Sequence, residues 1–320
     1  MLNLNFFRKT ALVLLGSIVA ASFVNTSFAF EDWHNSKYGE DDQIGAANNL
    51  SPKLVKKAAK LVKKGKTYRL GIAVDRKTPA FAPRSLSLTI VQPNQYAGIS
   101  YGDNKVNYND DVFYGWLGIG TQIDGLGHAG IDGYYYNGNH TNDFVKADGL
   151  TKLGVENIPP IVTRGILLDM AKYNGVDMMT EGQLITPEDI KKAAKQQKVK
   201  IKKGDVVIFH TGWLSLLGVD DTRFASGEPG INAGAAEYLS DLGVVAVGAD
   251  TWAVEAVPSE NPARVWEAHQ ILLAKKGVYI LEVLDTRELV ADGVNEFMFV
   301  LGATMIKGAA QSMINPIAIR

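Results

Sequence analysis

The stretch GIGTQIDGLGH, residues 118–128, carries three polar side chains whose types and spacing can do chemistry: Gln122, Asp124 and His128. In an extended segment the three share one parity and point the same way. The four-residue step from Asp124 to His128 would also suit one face of a helix, but the glycines between them disfavour that. Asp124 can hold a metal. His128 can move a proton at neutral pH, because imidazole titrates near ~6.5. Gln122 is a neutral oxygen donor at best. A polar turn without a chemical role has the same composition, so partners elsewhere in the chain must decide.

Histidine is scarce, with five residues at 34, 128, 140, 210 and 269. His269 falls on an apolar helix face, in line with Val265, Trp266, Leu272 and Leu273, where a histidine is often an ordinary core residue. Glu282 lies inside VYILEVL (278–284), between strongly apolar neighbours. A buried carboxylate without a partner costs several kcal/mol or neutralises itself, so Glu282 needs a cation, a donor or a metal. A single turn at Gly277 joins the segment carrying His269 to the one carrying Glu282, so the two can meet. A salt bridge to an arginine would satisfy Glu282 equally well. Asp250 closes the apolar run VVAVGAD (244–250), a place from which α/β folds present functional groups and also cap the next turn.

These residues must be positioned by regular elements. LSPKLVKKAAKLVKKGK (50–66) reads as a surface helix, capped by Ser51, opened by Pro52 and ended at Gly65, with its lysines on a solvated face. TPEDIKKAAKQQ (186–197) has a capping box between Thr186 and Asp189. Two more helices are expected over 232–243 and 261–277, the second opening on Asn-Pro and closing on Gly277. Runs at 85–91, 205–212, 244–250, 278–284 and 297–306 are nearly continuous in apolar residues, as strands buried on both faces are. Helices and strands alternate in the C-terminal half, which makes it α/β. Residues 92–111 and 132–143 read as loops of a length that is often functional.

The first 29 residues stand apart. Arg8 and Lys9 precede an apolar run from Ala11 to Val24, and SFA at 27–29 has the form of a cleavage site, so 1–29 is expected to be a secretory signal peptide and 30–320 the working domain. A run of fourteen residues is too short to span ~30 Å of hydrocarbon as a helix. Losing the leader removes two basic residues and no acidic one, taking the net charge from −1 to about −3. That balance suggests neither nucleic acid nor an anionic membrane as partner. The chain has no cysteine, so disulfides and cysteine lipidation are excluded. The expected location is periplasmic or secreted, with no membrane association after cleavage.

GTQIDGLGH resembles the signature of the cyclase family, metal-dependent hydrolases that include arylformamidases (kynurenine formamidases) and isatin hydrolase, whose pattern is H-x-G-T-H-x-D-x-P-x-H. VENIPPIVTRGILLDMA (155–171), GDVVIFHTGW (204–213), VGADTWAVEAVP (247–258) and HQILLAKKGVYILE (269–282) also resemble the longer bacterial members, in the same order. Gly120, Thr121, Asp124 and His128 fit the signature. Its first histidine falls on Gly118, its second on Gln122 and its proline on Leu126. His269 and Glu282 match the later histidine and glutamate of two-metal members. The resemblance therefore implies a chain that has lost the nitrogen ligands of one metal site and kept the ligand set of the other.

What the resemblance implies is an α/β fold of the swivelling β/β/α type and a homo-oligomer acting on a small molecule. The implied reaction is metal-dependent hydrolysis of a carbon–nitrogen bond in an amide, formamide or cyclic amide. One divalent ion, zinc or manganese, would be held by Asp124, His269 and Glu282 with Gln122 beside them, and His140 or a backbone group could supply a missing ligand. His128 would be the acid–base group. Trp116, Tyr136 and Trp252 are candidates for an apolar substrate pocket. The competing reading is a metal-free periplasmic binding protein or a retired enzyme of the same fold. A third is metal-free acid–base catalysis by Asp124 and His128.

Overall fold

In the computed structural model, residues 32–320 are described apart from 94, 96 and 97. The expected leader, residues 1–29, lies outside the described residues. The apolar runs VVIFH (Val206–His210), AVGA (Ala246–Ala249) and YILE (Tyr279–Glu282) form strands whose residues are all buried, as their composition requires. They lie side by side and parallel, with Ile161–Asp169 as a fourth parallel strand next to Val206–His210. Antiparallel strands complete a nine-stranded sheet in the order Thr67–Arg69, Ile317–Ile319, Glu296–Leu301, Ile161–Asp169, Val206–His210, Ala246–Ala249, Tyr279–Glu282, Gln122–Asp124, Gln311–Met313. The fold is a mixed α/β sheet in one unit, Asp32–Arg320.

The helices that connect the parallel strands cover this sheet. Pro187–Gln196 is capped by the expected reciprocal pair Thr186 and Asp189, and Ala233–Asp241 by Asn232. Ile190, Ala193, Ala235, Ala236 and Leu239 from these helices share one hydrophobic cluster with Val206, Ile208, Val247 and Leu281 of the strands. Each of the larger side chains contributes roughly 1.5–3 kcal/mol by leaving water. Ser51 caps Pro52–Ala59, a helix shorter than expected. No helix among the described residues is long and apolar enough to cross a membrane.

Four further expectations need correction. The run 297–306 gives a strand only over Glu296–Leu301, with Phe297, Phe299 and Leu301 buried and the alternate residues half-buried. SLSLTIV is not a doubly buried strand: among the described residues Leu86–Val91 pairs only with Asp110–Gly115, and Leu88, Ile90, Val112, Phe113 and Tyr114 of that hairpin are exposed. The helix expected from Asn261 begins only at Glu267, and its second part, Gln270–Lys275, is a π-helical turn. The reason is a carboxylate from outside the helix: Glu255 accepts from the backbone N–H of Ala268 (3.3 Å) and of His269 (3.0 Å), taking the place of a local cap. Finally, Ile161–Asp169, the longest strand, is not among the expected ones. Pro159 and Pro160 before it and Arg164–Gly165 within it break the apolar pattern. Arg164 is held there by Asp205 and Glu296, each at 2.6 Å.

Candidate metal centre and its cleft

Gln122–Asp124 is a three-residue strand inserted between Tyr279–Glu282 and Gln311–Met313, antiparallel to both. This register puts Gln122 opposite Glu282 and Asp124 opposite Gln311. Alternation then sends Gln122 and Asp124 to the same face. The chain turns after the strand, with His128 N–H donating to Gly125 O (3.0 Å), which returns the imidazole toward Asp124. His269 arrives from the helical segment that leads into the strand of Glu282. Five residues from three segments thus meet in one place.

Asp124, His269 and Glu282 are buried, and one ligand atom from each lies within 4.8 Å of the others. His269 Nε2 is 3.3 Å from Glu282 Oε1 and 3.7 Å from Asp124 Oδ2. Donors bound at ~2.0–2.2 Å to a tetrahedral ion are roughly 3.3–3.6 Å apart, so this spacing suits zinc-like coordination. Asp124 Oδ1 accepts from Gln311 Nε2 at 2.7 Å, whereas Asp124 Oδ2 is buried without any hydrogen-bond partner. An ionised oxygen in that state requires a positive partner. Burial and the adjacent negative charge of Asp124 push the Glu282 carboxyl up to about 7, against the lowering influence of His269 and Arg84. Burial alone would lower the pKa of His269, but its hydrogen bonds to Glu255 and Glu282 outweigh that and leave it well above the ordinary histidine range. The donor set, its spacing and the orphaned oxygen all fit a divalent cation.

Glu255 is the functional residue missed in the sequence. Its Oε1 sits 2.5 Å from His269 Nδ1, fixing the ring so that Nε2 faces Asp124 and Glu282. Metal-binding histidines characteristically have such a partner. The signal was available: Glu255 stands between Val254 and Ala256, the same apolar setting that singled out Glu282. A second buried carboxylate, Glu228, accepts from the N–H groups of Trp252 (2.6 Å) and Ala253 (2.8 Å) and pins the loop that leads to Glu255.

Gln122 departs from its expected role. Its Nε2 donates to Glu282 Oε2 at 2.5 Å and is 3.4 Å from Asp124 Oδ1. Turning the amide over would set its oxygen against two carboxylates. In this arrangement Gln122 acts as a donor that holds the carboxylates of the candidate metal site. Gly118 stands where the family signature has its first histidine, and that space is filled. A Cβ there would come within 2.7 Å of Arg84 Nη1 and of both amide atoms of Gln311. His140 is elsewhere, accepting from Asn142 N–H at 3.3 Å and packing against Tyr134.

His128 borders the triad without joining it, with Nε2 3.8 Å from Asp124 Oδ2. Burial lowers its pKa, so the ring is neutral at pH 7. It opens on a cleft of about 360 Å³ whose walls include Phe81, Trp252, Val265 and Trp266, with Arg84, His269 and Glu282 also lining it. Phe81 packs on Trp252 and Trp266 at ring separations of 5.8 and 6.0 Å. Of the expected pocket aromatics, only Trp252 is there. Trp116 is exposed at the end of the hairpin, because the strand leading to it lies outside the main sheet. Tyr136 is buried in another part of the core, its hydroxyl donating to Asp42 at 2.5 Å. Asp250 serves as a cap, accepting from the N–H groups of Thr211 and Gly212.

A family model described as "Putative cyclase" matches residues 68–256. The crystal structure of a novel cyclase is 32% identical, covering 89% of this chain and 96% of its own, with a TM-score of 0.80. Isatin hydrolase A from Labrenzia aggregata, bound to benzyl benzoate, is 18% identical over 79% of this chain and 93% of its own, at a TM-score of 0.60. An isatin hydrolase bound to the product analogue thioisatinate is 19% identical over 84% and 98%, at 0.58. No curated protein sequence matches significantly.

Proposed function

Because the chain belongs to the cyclase family, we propose that it is a metal-dependent hydrolase that cleaves the carbon–nitrogen bond of an aryl amide, formamide or cyclic amide. The observation that carries this reading is the buried set of Asp124, His269 and Glu282, with Asp124 Oδ2 unpartnered, at the floor of an aromatic cleft. The isatin hydrolases among its structural neighbours support the choice of a cyclic or aryl amide.

A zinc or manganese ion held by Asp124, His269 and Glu282 would polarise the scissile carbonyl and acidify water at neutral pH. The protein's own side chains do the rest. Phe81, Trp252 and Trp266 receive a flat apolar group and exclude water from it. Glu255 keeps His269 Nδ1 occupied, so that Nε2 alone faces the site. Gln122 and Gln311 hold the outer oxygens of Glu282 and Asp124, which leaves the inner ones in place. His128, neutral at pH 7, accepts the proton of the attacking water at Nε2 and returns it to the leaving nitrogen. The leader-like sequence at 1–29 supports action outside the cytoplasm, and the exposed apolar hairpin supports self-association.

Metal content and turnover of two variants test the reading, with formanilide or isatin as substrate. His128→Ala should keep its metal and lose ~10²–10⁴-fold in rate. Asp124→Ala should lose metal and activity together. Wild-type protein that takes up no divalent metal after loading would refute the proposal and favour a binding protein.

A further inference from the structure

The cleft contains a cation that the mechanism above does not use. Arg84 lies on the segment between Phe81 and the hairpin, and its guanidinium lines the cleft beside His128, His269 and Glu282. Nη1 donates to Gly118 O at 2.8 Å, and Arg84 forms no ion pair among the described residues. A guanidinium carries five N–H donors in a planar fork that matches a carboxylate. Here one donor is engaged by a carbonyl and no carboxylate among the described residues is paired with the fork, although Glu282 lines the same cleft. Gln122 engages Glu282 Oε2 and Gln311 engages Asp124 Oδ1, while Asp124 Oδ2 has no hydrogen bond and is not paired with the fork.

We propose that Arg84 is a carboxylate-binding residue of this cleft, so that the ligand is an aromatic molecule carrying an anionic carboxylate beside the ring. The walls and the charge agree: Phe81, Val265, Trp252 and Trp266 suit the ring, and Arg84 sits where the walls meet the metal-ligating floor. The carboxylate can belong to the substrate or be released by ring-opening of a cyclic amide. Arg84 supplies the same two donors in either case. This inference rests on the hydrolase reading for its catalytic meaning, but its binding test does not.

Benzoate and benzamide are near-isosteric probes that differ in charge, and quenching of Trp252 and Trp266 fluorescence reports their binding. Benzoate should bind at least ~10-fold more tightly than benzamide, as a charge-assisted pair in a partly buried cleft does. Arg84→Gln should abolish that preference while leaving benzamide affinity unchanged, which also shows that the variant is folded. The preference should persist after chelation. If it disappears with the metal and survives in Arg84→Gln, the ion holds the anion and the proposal is overturned. If it depends on Arg84 in a protein that takes up no metal, the hydrolase reading fails and this one stands. Turnover then separates the two sources of the carboxylate. A loss on 2-carboxyformanilide but not on formanilide places it on the substrate, and weaker product inhibition in isatin hydrolysis places it on the product. Equal kcat/KM and equal inhibition in wild type and Arg84→Gln would refute both.

Discussion

Glu255→Gln is the most informative single change, because it alters one charge behind the metal ligands and little volume. In the structure Glu255 Oε1 accepts from His269 Nδ1 (2.5 Å) and His269 N–H (3.0 Å), and Oε2 from Ala268 N–H (3.3 Å). A glutamine can keep its oxygen on the side with two donors. Its NH2 then faces the N–H of Ala268, leaving a buried donor unpaired at a cost of ~1–3 kcal/mol. The bond to Nδ1 also changes from charge-assisted to neutral, a further loss of about 1 kcal/mol. The metal-free protein should therefore lose ~2–4 kcal/mol of a total near 5–15 kcal/mol. Metal affinity should fall ~10–100-fold, the usual effect of removing a histidine's outer partner. Urea unfolding in chelator measures the first quantity, and competition with a chromophoric chelator the second. Wild-type metal affinity in Glu255→Gln would show that His269 needs no orientation by Glu255, and the account of the site would be wrong at that link.

Three further outcomes follow from the same structure. Gly118→His should not raise metal content above one equivalent per chain by elemental analysis, since Arg84 and Gln311 occupy the space beside it. Gly120 has φ +67° and its Cβ position is taken by Val74, so Gly120→Ala should cost at least ~1–2 kcal/mol in urea unfolding. The Asp42 carboxyl is raised by burial but lowered more by hydrogen bonds from Tyr136, Asn48, Ile44 N–H and Ser36, leaving it below the ordinary range. A depressed folded-state pKa gives stability that is present above the unfolded value near ~4 and is lost as pH falls through the folded one. Asp42→Asn should therefore lower the urea midpoint at pH 7 and converge on wild type near pH 2, and a deficit independent of pH would assign the effect to packing.

Much of this protein is legible along the chain because the relevant physics is local. The capping box Thr186–Asp189 and the Ser51 cap each involve neighbours three residues apart, and each forms as the sequence implies. The apolar runs around 206–210, 246–249 and 279–282 imply strands buried on both faces, and every residue of those strands is buried. Glu282 stood out for the same reason in reverse, as a charge that such a strand can carry only with a partner. The tertiary structure decided what depends on distant segments. SLSLTIV has strand character like the core runs, yet among the described residues it pairs only with another exposed strand, so most of it stays in solvent. The helix before Glu282 starts at Glu267 because Glu255, remote from its cap position, takes its first donors. Gln122 looked like a poor ligand in the sequence. Strand register placed it opposite Glu282, where its useful group is the amide nitrogen. Arg84 carries no pattern that marks it, and only packing brings its charge beside the buried carboxylates. Local rules fix caps and burial, whereas the partner of a buried charge is set by which strands meet.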